Sequence, residues 1–347
     1  MKEVKTDIRT ISLQKLQQFF INNQCPKFRA NQTFEWLWKR RELDFEKMTN
    51  LSLTNRQILK QNFQIQKIRI LKQYVSIDGT VKFLFELKTK KVIEGVLIPQ
   101  LNRLTACISS QVGCSLACTF CATGKLKLES NLTTGEIYDQ VFLINQYCLE
   151  NFQKPITNIV FMGMGEPLLN FKNVLQSIHY ISSIDGMGIS ARRITVSTVG
   201  LAKIIRKIAD MNPSFNLAIS LHSANNKTRS SIMSINKTNN LESLSEALIY
   251  FYNKTNIRPT YEYILLNGVN DSIEDANQLI KFCKIIPCKV NLIEYNKVDS
   301  VPYEKSTKEK THRFINKLEE KKILVKLRKS RGEDINAGCG QLANKIN

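Results

Sequence analysis

"CISSQVGCSLACTFCATGK", Cys107 to Lys125, gathers four of the chain's nine cysteines, three of them spaced C-x3-C-x2-C. Its surroundings decide how it reads. The segment that leads into it, "RLTACIS", is predicted as a strand, and the segment that follows turns helical near 134–150. The same succession then repeats. Strands are predicted at "NIVFMG", "RITVST", "NLAISLH", "PTYEYILL" and "KVNLIEYN", with helical patterns near 171–184, 201–210, 241–254, 273–285 and 305–321. Six such units imply an α/β fold whose parallel sheet closes wholly or partly, a partial (β/α)6 barrel. Loops after the strands of such a barrel build the active site. The cysteine loop, "GMGEP" (Gly163 to Pro167), Ser197 and Thr198, "SLHS" (Ser220 to Ser223) and Asn296 therefore converge on one rim.

Toward the N-terminus the pattern changes. Up to about residue 70 it is helical and basic: "SLQKLQQFFINN" and "NQTFEWLWKRREL" carry apolar residues at three- and four-residue steps, with Ser12 and Asn31 as N-caps. Trp36 and Trp38 are expected in the core. Lys27, Arg29, Lys39, Arg40 and Arg41 cluster around these helices, which suits an RNA backbone as well as a solvated helix face. Between about 80 and 100, "GTVKFLFELKTKKVIEGVLIP" alternates about the turn "KTKK" as a β-hairpin does. Three regions result: a basic helical RNA-binding domain over 1–75, a hairpin linker over 76–100, and over 101–347 the barrel with its C-terminal cysteine segment.

The 347 residues, 43% hydrophobic, are enough for a large catalytic domain and a smaller one. The opening "MKEVKTDIRTISLQKLQQFF" mixes charged with apolar positions, unlike a secretion signal, and nowhere do about eighteen apolar residues run together. The expected location is the cytoplasm, away from membranes. Thiols there stay reduced, so the cysteines read as metal ligands, catalytic thiols or small core residues, not as a disulfide framework. Fifty Lys and Arg against thirty Asp and Glu give a net charge of +20, which favours a polyanionic partner, although compositional drift also enriches lysine.

Three cysteines at C-x3-C-x2-C can hold three irons of a cubane and leave the fourth open to a substrate or cofactor. The alternative, structural zinc, needs a fourth protein ligand, and neither the remaining cysteines nor His179, His222 and His312 supply a second pair. With Phe120 before its last cysteine, the motif resembles the radical S-adenosylmethionine superfamily, and "GMGEP" resembles that superfamily's glycine-rich segment. "CISSQVGCSLACTFCATG", "FMGMGEPLLN", "RRITVSTVG", "AISLHSANN", "PCKVNLIEYN" and "RGEDINAGCGQLA" together are similar, in order and spacing, to the RlmN family. The similarity spans about residues 25 to 345.

That resemblance implies an enzyme that methylates C2 of adenosine, adenine 2503 of the peptidyl-transferase centre in 23S rRNA and adenine 37 of tRNA. It implies one [4Fe-4S] cluster per chain on Cys114, Cys118 and Cys121, and two molecules of S-adenosylmethionine consumed per methylation, one of them cleaved to a 5′-deoxyadenosyl radical. By position, Cys339 would carry the methyl group to the base, Cys107 would release the product through a disulfide with Cys339, and Glu94 in "VIEGV" would be the general base. Gly165, Glu166, Ser197, Ser220, Leu221, His222 and Asn296 match the family's cofactor contacts. The implied partners are 23S rRNA, tRNA and an electron donor such as flavodoxin or ferredoxin, acting on a monomer. Read from the residues alone, Glu94 is also compatible with an exposed strand carboxylate and His222 with a core histidine. Cys25, Cys148, Cys283 and Cys288 read as small buried side chains.

Three other functions are weighed against this one. A Cfr-type enzyme would methylate C8 of the same adenosine. A non-catalytic basic RNA-binding protein would use the cysteines for a structural metal. A radical enzyme acting on a small molecule would leave the two extra thiols and the basic helices idle.

Overall fold

The computed structural model describes residues 5–299 and 301–343. Residues 1–4 of the opening stretch lie outside the described residues.

One ten-stranded sheet organises the chain. Its strands are β1 (Arg69–Val75), β2 (Val81–Glu86), β3 (Val92–Gln100), β4 (Arg103–Cys107), β5 (Asn158–Phe161), β6 (Ile194–Thr198), β7 (Asn216–Ser220), β8 (Thr260–Leu265), β9 (Lys289–Glu294) and β10 (Val325–Arg328). From β4 to β10 every neighbouring pair is parallel and spatial order follows chain order, the open barrel that the repeated units predict. The strand β10 is an addition. Its "VKLR" alternates apolar with basic residues and stays partly exposed at the sheet's edge, so it lacks the apolar run that marks the buried strands.

The expected hairpin forms as β2 and β3 in register Glu86↔Val92, and it continues the barrel sheet through the antiparallel β3–β4 pair. On the other side of β2 lies β1, an exposed edge strand in a region read as helical. It carries four apolar residues among polar ones, Ile70, Leu71, Tyr74 and Val75, with little period-2 order.

Three helices, α1 (Leu13–Asn22), α2 (Phe28–Phe34) and α3 (Leu53–Asn62), belong to the N-terminal region, and seven cover the strand crossovers: α4 (Thr134–Phe152), α5 (Phe171–Ser182), α6 (Ala202–Asp210), α7 (Asn226–Ile232), α8 (Leu241–Thr255), α9 (Ile273–Cys283) and α10 (Lys308–Glu320). A capping box starts α4, where Thr133 accepts from the Glu136 N–H and Glu136 reaches back to the Thr133 N–H. Among the described residues no helix is long and apolar enough to cross a membrane.

In the N-terminal region Ser12 caps helix Leu13–Asn22 as expected, accepting from the Lys15 N–H. Asn31 does not cap. It lies inside helix Phe28–Phe34, because Pro26, with its φ already near the helical value, starts the turn earlier. Trp38 is buried, stacked on Tyr180 with ring centroids 3.9 Å apart. Trp36 is only half-buried, with the Arg40 guanidinium 4.3 Å above its ring. Of the basic cluster, Arg41 turns inward to Asp139 and Arg40 pairs with Glu35, while Lys27 and Lys39 face solvent.

Asp139 on α4 joins the helical region to the barrel. Arg9 grips it with two bonds of 2.8 and 3.1 Å, and Arg41 adds a third at 3.0 Å. Burial alone would pull the Arg9 guanidinium down, yet Asp139 holds it above its ordinary value. Asp139→Ala leaves two guanidinium groups facing an empty site, and the expected cost is roughly 3–5 kcal/mol, read as a lowered urea midpoint. A loss under about 1 kcal/mol would show that the pairs behave like surface ion pairs.

Candidate active site

The loops at the C-terminal ends of the strands frame one cleft, enclosing about 910 Å³ when counted out to its open mouth. Nine of the residues expected at the site line it: Cys114, Cys118, Cys121, Gly165, Glu166, Ser197, Ser220, His222 and Cys339. Glu94, Cys107, Leu221 and Asn296 do not.

The three-cysteine loop is shaped by its own backbone. Ala117 takes a left-handed φ of +49°, the Cys121 N–H bonds back to the Cys118 carbonyl at 3.2 Å, and a Cβ on Gly124 would lie 2.6 Å from that oxygen. Burial raises all three thiols, Cys114 to about 11, and the negative charge of Cys121 on Cys114 and of both neighbours on Cys118 adds to it. They are therefore neighbours facing one space. Among the described residues no three His, Cys, Asp or Glu side chains stand close enough to share a single metal ion. Three thiols from one loop are the donors that three corners of an iron–sulfur cubane take, whereas a structural zinc takes four protein ligands, so the donor set itself suits a cluster.

Opposite these thiols lie polar groups. Glu166 is buried, its two oxygens accepting from the Leu168 and Val199 N–H groups at 2.9 Å each. Burial raises its carboxyl to about 7 against the opposing pull of those bonds. Gly165, at φ +91°, admits no side chain: a Cβ would stand 2.5 Å from Cβ of Gln111. Across the cleft, Ser197 and Ser220 place their hydroxyls 3.4 Å apart. His222 combines both sequence readings: it lines the cleft, and its Nδ1 accepts from the buried Ile264 N–H at 3.1 Å. Burial and the Arg229 charge lower it to about 3, so the ring is neutral with Nε2 as its remaining donor.

Cys107 ends β4 beneath the cleft. Burial raises its thiol to about 12, the nearby Cys339 adds to the rise, and the Arg328 guanidinium and the Met162 N–H oppose it. The two thiols are thus brought together from opposite ends of the barrel sequence, and both are free. Asn296 acts on the same segment, donating to the Cys339 carbonyl at 3.2 Å. Leu221 is fully buried, and its carbonyl accepts from Arg229. Glu94 is not an exposed strand carboxylate. It is buried on β3, 3.7 Å from the Lys82 ammonium, accepts from the Ala343 N–H at 2.9 Å, and lines a separate cleft with Lys125 and Asn336.

Two features escaped the sequence reading. Arg328 lines the cleft and pairs at 3.1 Å with Glu262, which Asn291 also holds at 2.8 Å. A carboxylate set among the apolar residues of "PTYEYILL" was the available signal, since such a group is retained in a core only with a partner. Arg229, fully buried on α7, donates to the carbonyls of Val199 and Leu221 and to Asn236, tying the loops after β6 and β7 together. In "NNKTRSSI" nothing distinguishes it from a surface arginine.

Residues 6–65 match the ribosomal RNA large subunit methyltransferase N-terminal domain, and residues 108–282 match the radical SAM superfamily. Probable dual-specificity RNA methyltransferases RlmN from Christiangramia forsetii and Cytophaga hutchinsonii are each 50% identical to the chain, over 99% and 98% of it and 98% and 93% of their own lengths. The crystal structure of a radical SAM methyltransferase from Sphaerobacter thermophilus superposes with a TM-score of 0.90 at 35% identity, covering 98% of this chain and all of that one.

Proposed function

Since the chain belongs to the RlmN family of dual-specificity RNA methyltransferases, we propose that it methylates C2 of adenosine in 23S rRNA and in tRNA, with Cys339 as the carrier of the methyl group. The observation that carries this reading is the shared cleft: Cys339 faces the three-cysteine loop, and Cys107 stands beside it. C2 of adenine lies between two ring nitrogens and is electron-poor, so it is a weak nucleophile toward an ordinary methyl donor. A carbon radical carried on a cysteine sulfur has no such limitation.

Cys114, Cys118 and Cys121 would hold the [4Fe-4S] cluster, one per chain, while Gly165, Glu166, Ser197, Ser220, His222 and Asn296 would bind and orient S-adenosylmethionine, with Leu221 packing beneath them. When bound, these groups supply the methyl group and, from a second S-adenosylmethionine, the hydrogen-abstracting radical. A low-potential carrier of the flavodoxin or ferredoxin class would deliver the electron. The rest falls to the chain. Cys339 presents sulfur to the cleft, Arg328 is the cation available to a thiolate at Cys107, and the apolar walls keep water away. Glu94 is proposed as the base for the C2 proton; its present hold on Ala343 means that the C-terminal segment must shift before that carboxylate reaches a substrate. The exposed Lys27 and Lys39 are proposed to meet RNA phosphates.

Expression in a bacterial strain that lacks its own adenosine C2 methyltransferase tests the reading, with nucleosides from 23S rRNA and tRNA analysed by mass spectrometry. Appearance of 2-methyladenosine in both is the expected result. Finding 8-methyladenosine instead would assign the Cfr-type reaction, and unmodified RNA would sink both.

A further inference from the structure

The segment that bears Cys339 has almost no regular structure of its own. Between β10 and the last described residue, Ala343, it forms one short 3-10 turn at Glu333–Ile335. Hydrogen bonds to other segments set its position instead, and two groups of them stand out.

The inner group lies at the three-cysteine loop. The Ala122 N–H donates to the Gly340 carbonyl at 2.7 Å, the Thr123 hydroxyl to the Leu342 carbonyl at 2.6 Å, and Asn296 to Cys339 itself. The outer group lies on the turn between β1 and β2, more than 250 residues earlier in the chain than the segment it holds. There the bonding is reciprocal. Asp334 accepts from the Ser76 hydroxyl at 2.6 Å and the Ile77 N–H at 3.1 Å, while Asp78 accepts from the Gly332 N–H at 3.0 Å. Each strand of the contact thus offers a carboxylate to the other's backbone. Gly332, at φ +65°, lets the two approach: a Cβ there would stand 2.8 Å from Ala337 and 3.0 Å from Thr80. The Ala337 N–H then closes the turn on the Gly332 carbonyl at 2.8 Å, two residues before Cys339. At the tip of the β1–β2 turn Ile77 is 97% exposed and buries no apolar side chain, although Ser76 and Thr80 on either side are buried, and the Arg331 guanidinium stands 3.8 Å from the Asp78 carboxylate. The turn's visible contribution is this pair of polar hooks.

We infer that Asp78 and Asp334 form a clasp that positions Cys339, fixing from the hairpin side how far its thiol reaches into the cleft. They are positioning residues, because neither lines that cleft. Hydrogen bonds hold both carboxyls below their ordinary values, Asp334 through Ser76 and Ile77, and Asp78 against the opposing effect of burial through Thr80 and Gly332. The clasp is therefore charged, and each of its bonds charge-assisted, at neutral pH. The inference rests on the proposal that Cys339 accepts the methyl group, and the test keeps the two apart.

Asp334→Ala in the full-length, cluster-loaded protein is the test, with Asp78→Ala cutting the other half. Deuterium uptake in peptides covering 332–343 should rise roughly tenfold in rate as the bonds to Ser76 and Ile77 are lost, while uptake over 114–125 and the iron content stay at wild-type levels. Labelled methyl transfer to Cys339, followed by peptide mass spectrometry without RNA, should slow by about tenfold with the KM for S-adenosylmethionine within about twofold. Asp334→Asn, which keeps an acceptor for the Ile77 N–H, should recover part of that rate. Unchanged exchange over 332–343 in both alanine variants would overturn the clasp, and so would exchange that rises while methyl transfer keeps its rate. If wild-type Cys339 takes up no methyl group, the carrier reading fails and the exchange rates alone judge the clasp.

Discussion

Cys107→Ala is expected to leave the protein covalently joined to its RNA. In the proposed sequence Cys339 carries the methyl carbon onto the base before Cys107 is needed, and Cys107 then frees the product by bonding to Cys339. Removing Cys107 leaves the first stage intact and blocks the second. The structure makes this a clean substitution, because Cys107 ends β4 in backbone register with Val96 and Val160, pairings that alanine keeps, and the change deletes one sulfur from a buried site. Turnover should fall by about 10³-fold or more, as it does when a nucleophile is lost. A denaturing gel should show a shifted band that nuclease collapses, present in Cys107→Ala and absent from Cys339→Ala and the double variant. Normal turnover by Cys107→Ala, or an adduct that survives loss of Cys339, would end the two-thiol mechanism for this chain.

The second large effect concerns the cluster. Cys114→Ala, Cys118→Ala and Cys121→Ala should each lose iron, sulfide and brown absorption together, with methylation dropping to background. Three thiolates are the whole proposed protein ligand set, so no spare donor in the loop can replace one. The fold should survive, because bonds independent of the thiols hold the loop: Thr119 N–H to the Ile232 carbonyl and Ala122 N–H to that of Gly340. Far-ultraviolet circular dichroism should match the wild type. A full complement of iron in all three variants would refute the assignment.

Much of this molecule is written in local patterns. The alternation of strand and helix from residue 103 onward depends on apolar periodicities a few residues long, and it places each loop after its strand without knowledge of the rest of the chain. Cys114, Cys118 and Cys121 lie within one loop, so their spacing alone restricts their geometry. Gly165, Glu166, Ser197, Ser220 and His222 were locatable for the same reason, since each lies at or just past the C-terminal end of a strand that could be read, and sheet topology then brings them to one cleft.

Contacts between distant segments were not legible. Nothing near Asp139 in sequence announces Arg9 and Arg41, and nothing in "VKLRKS" tells that Arg328 is held by Glu262 beside two thiols rather than exposed on a basic edge. Glu94 could be named as a base, but its place in a neighbouring cleft, held by Lys82 and Ala343, depends on where the C-terminal segment comes to lie. The same is true of the reciprocal bonds of Asp78 and Asp334. Short-range periodicity records which face of an element is apolar, and that is enough to specify strands, helices and the loops between them. Which charges become partners depends on chain closure over hundreds of residues, where the free energy of a buried pair is defined only once both groups have left water together.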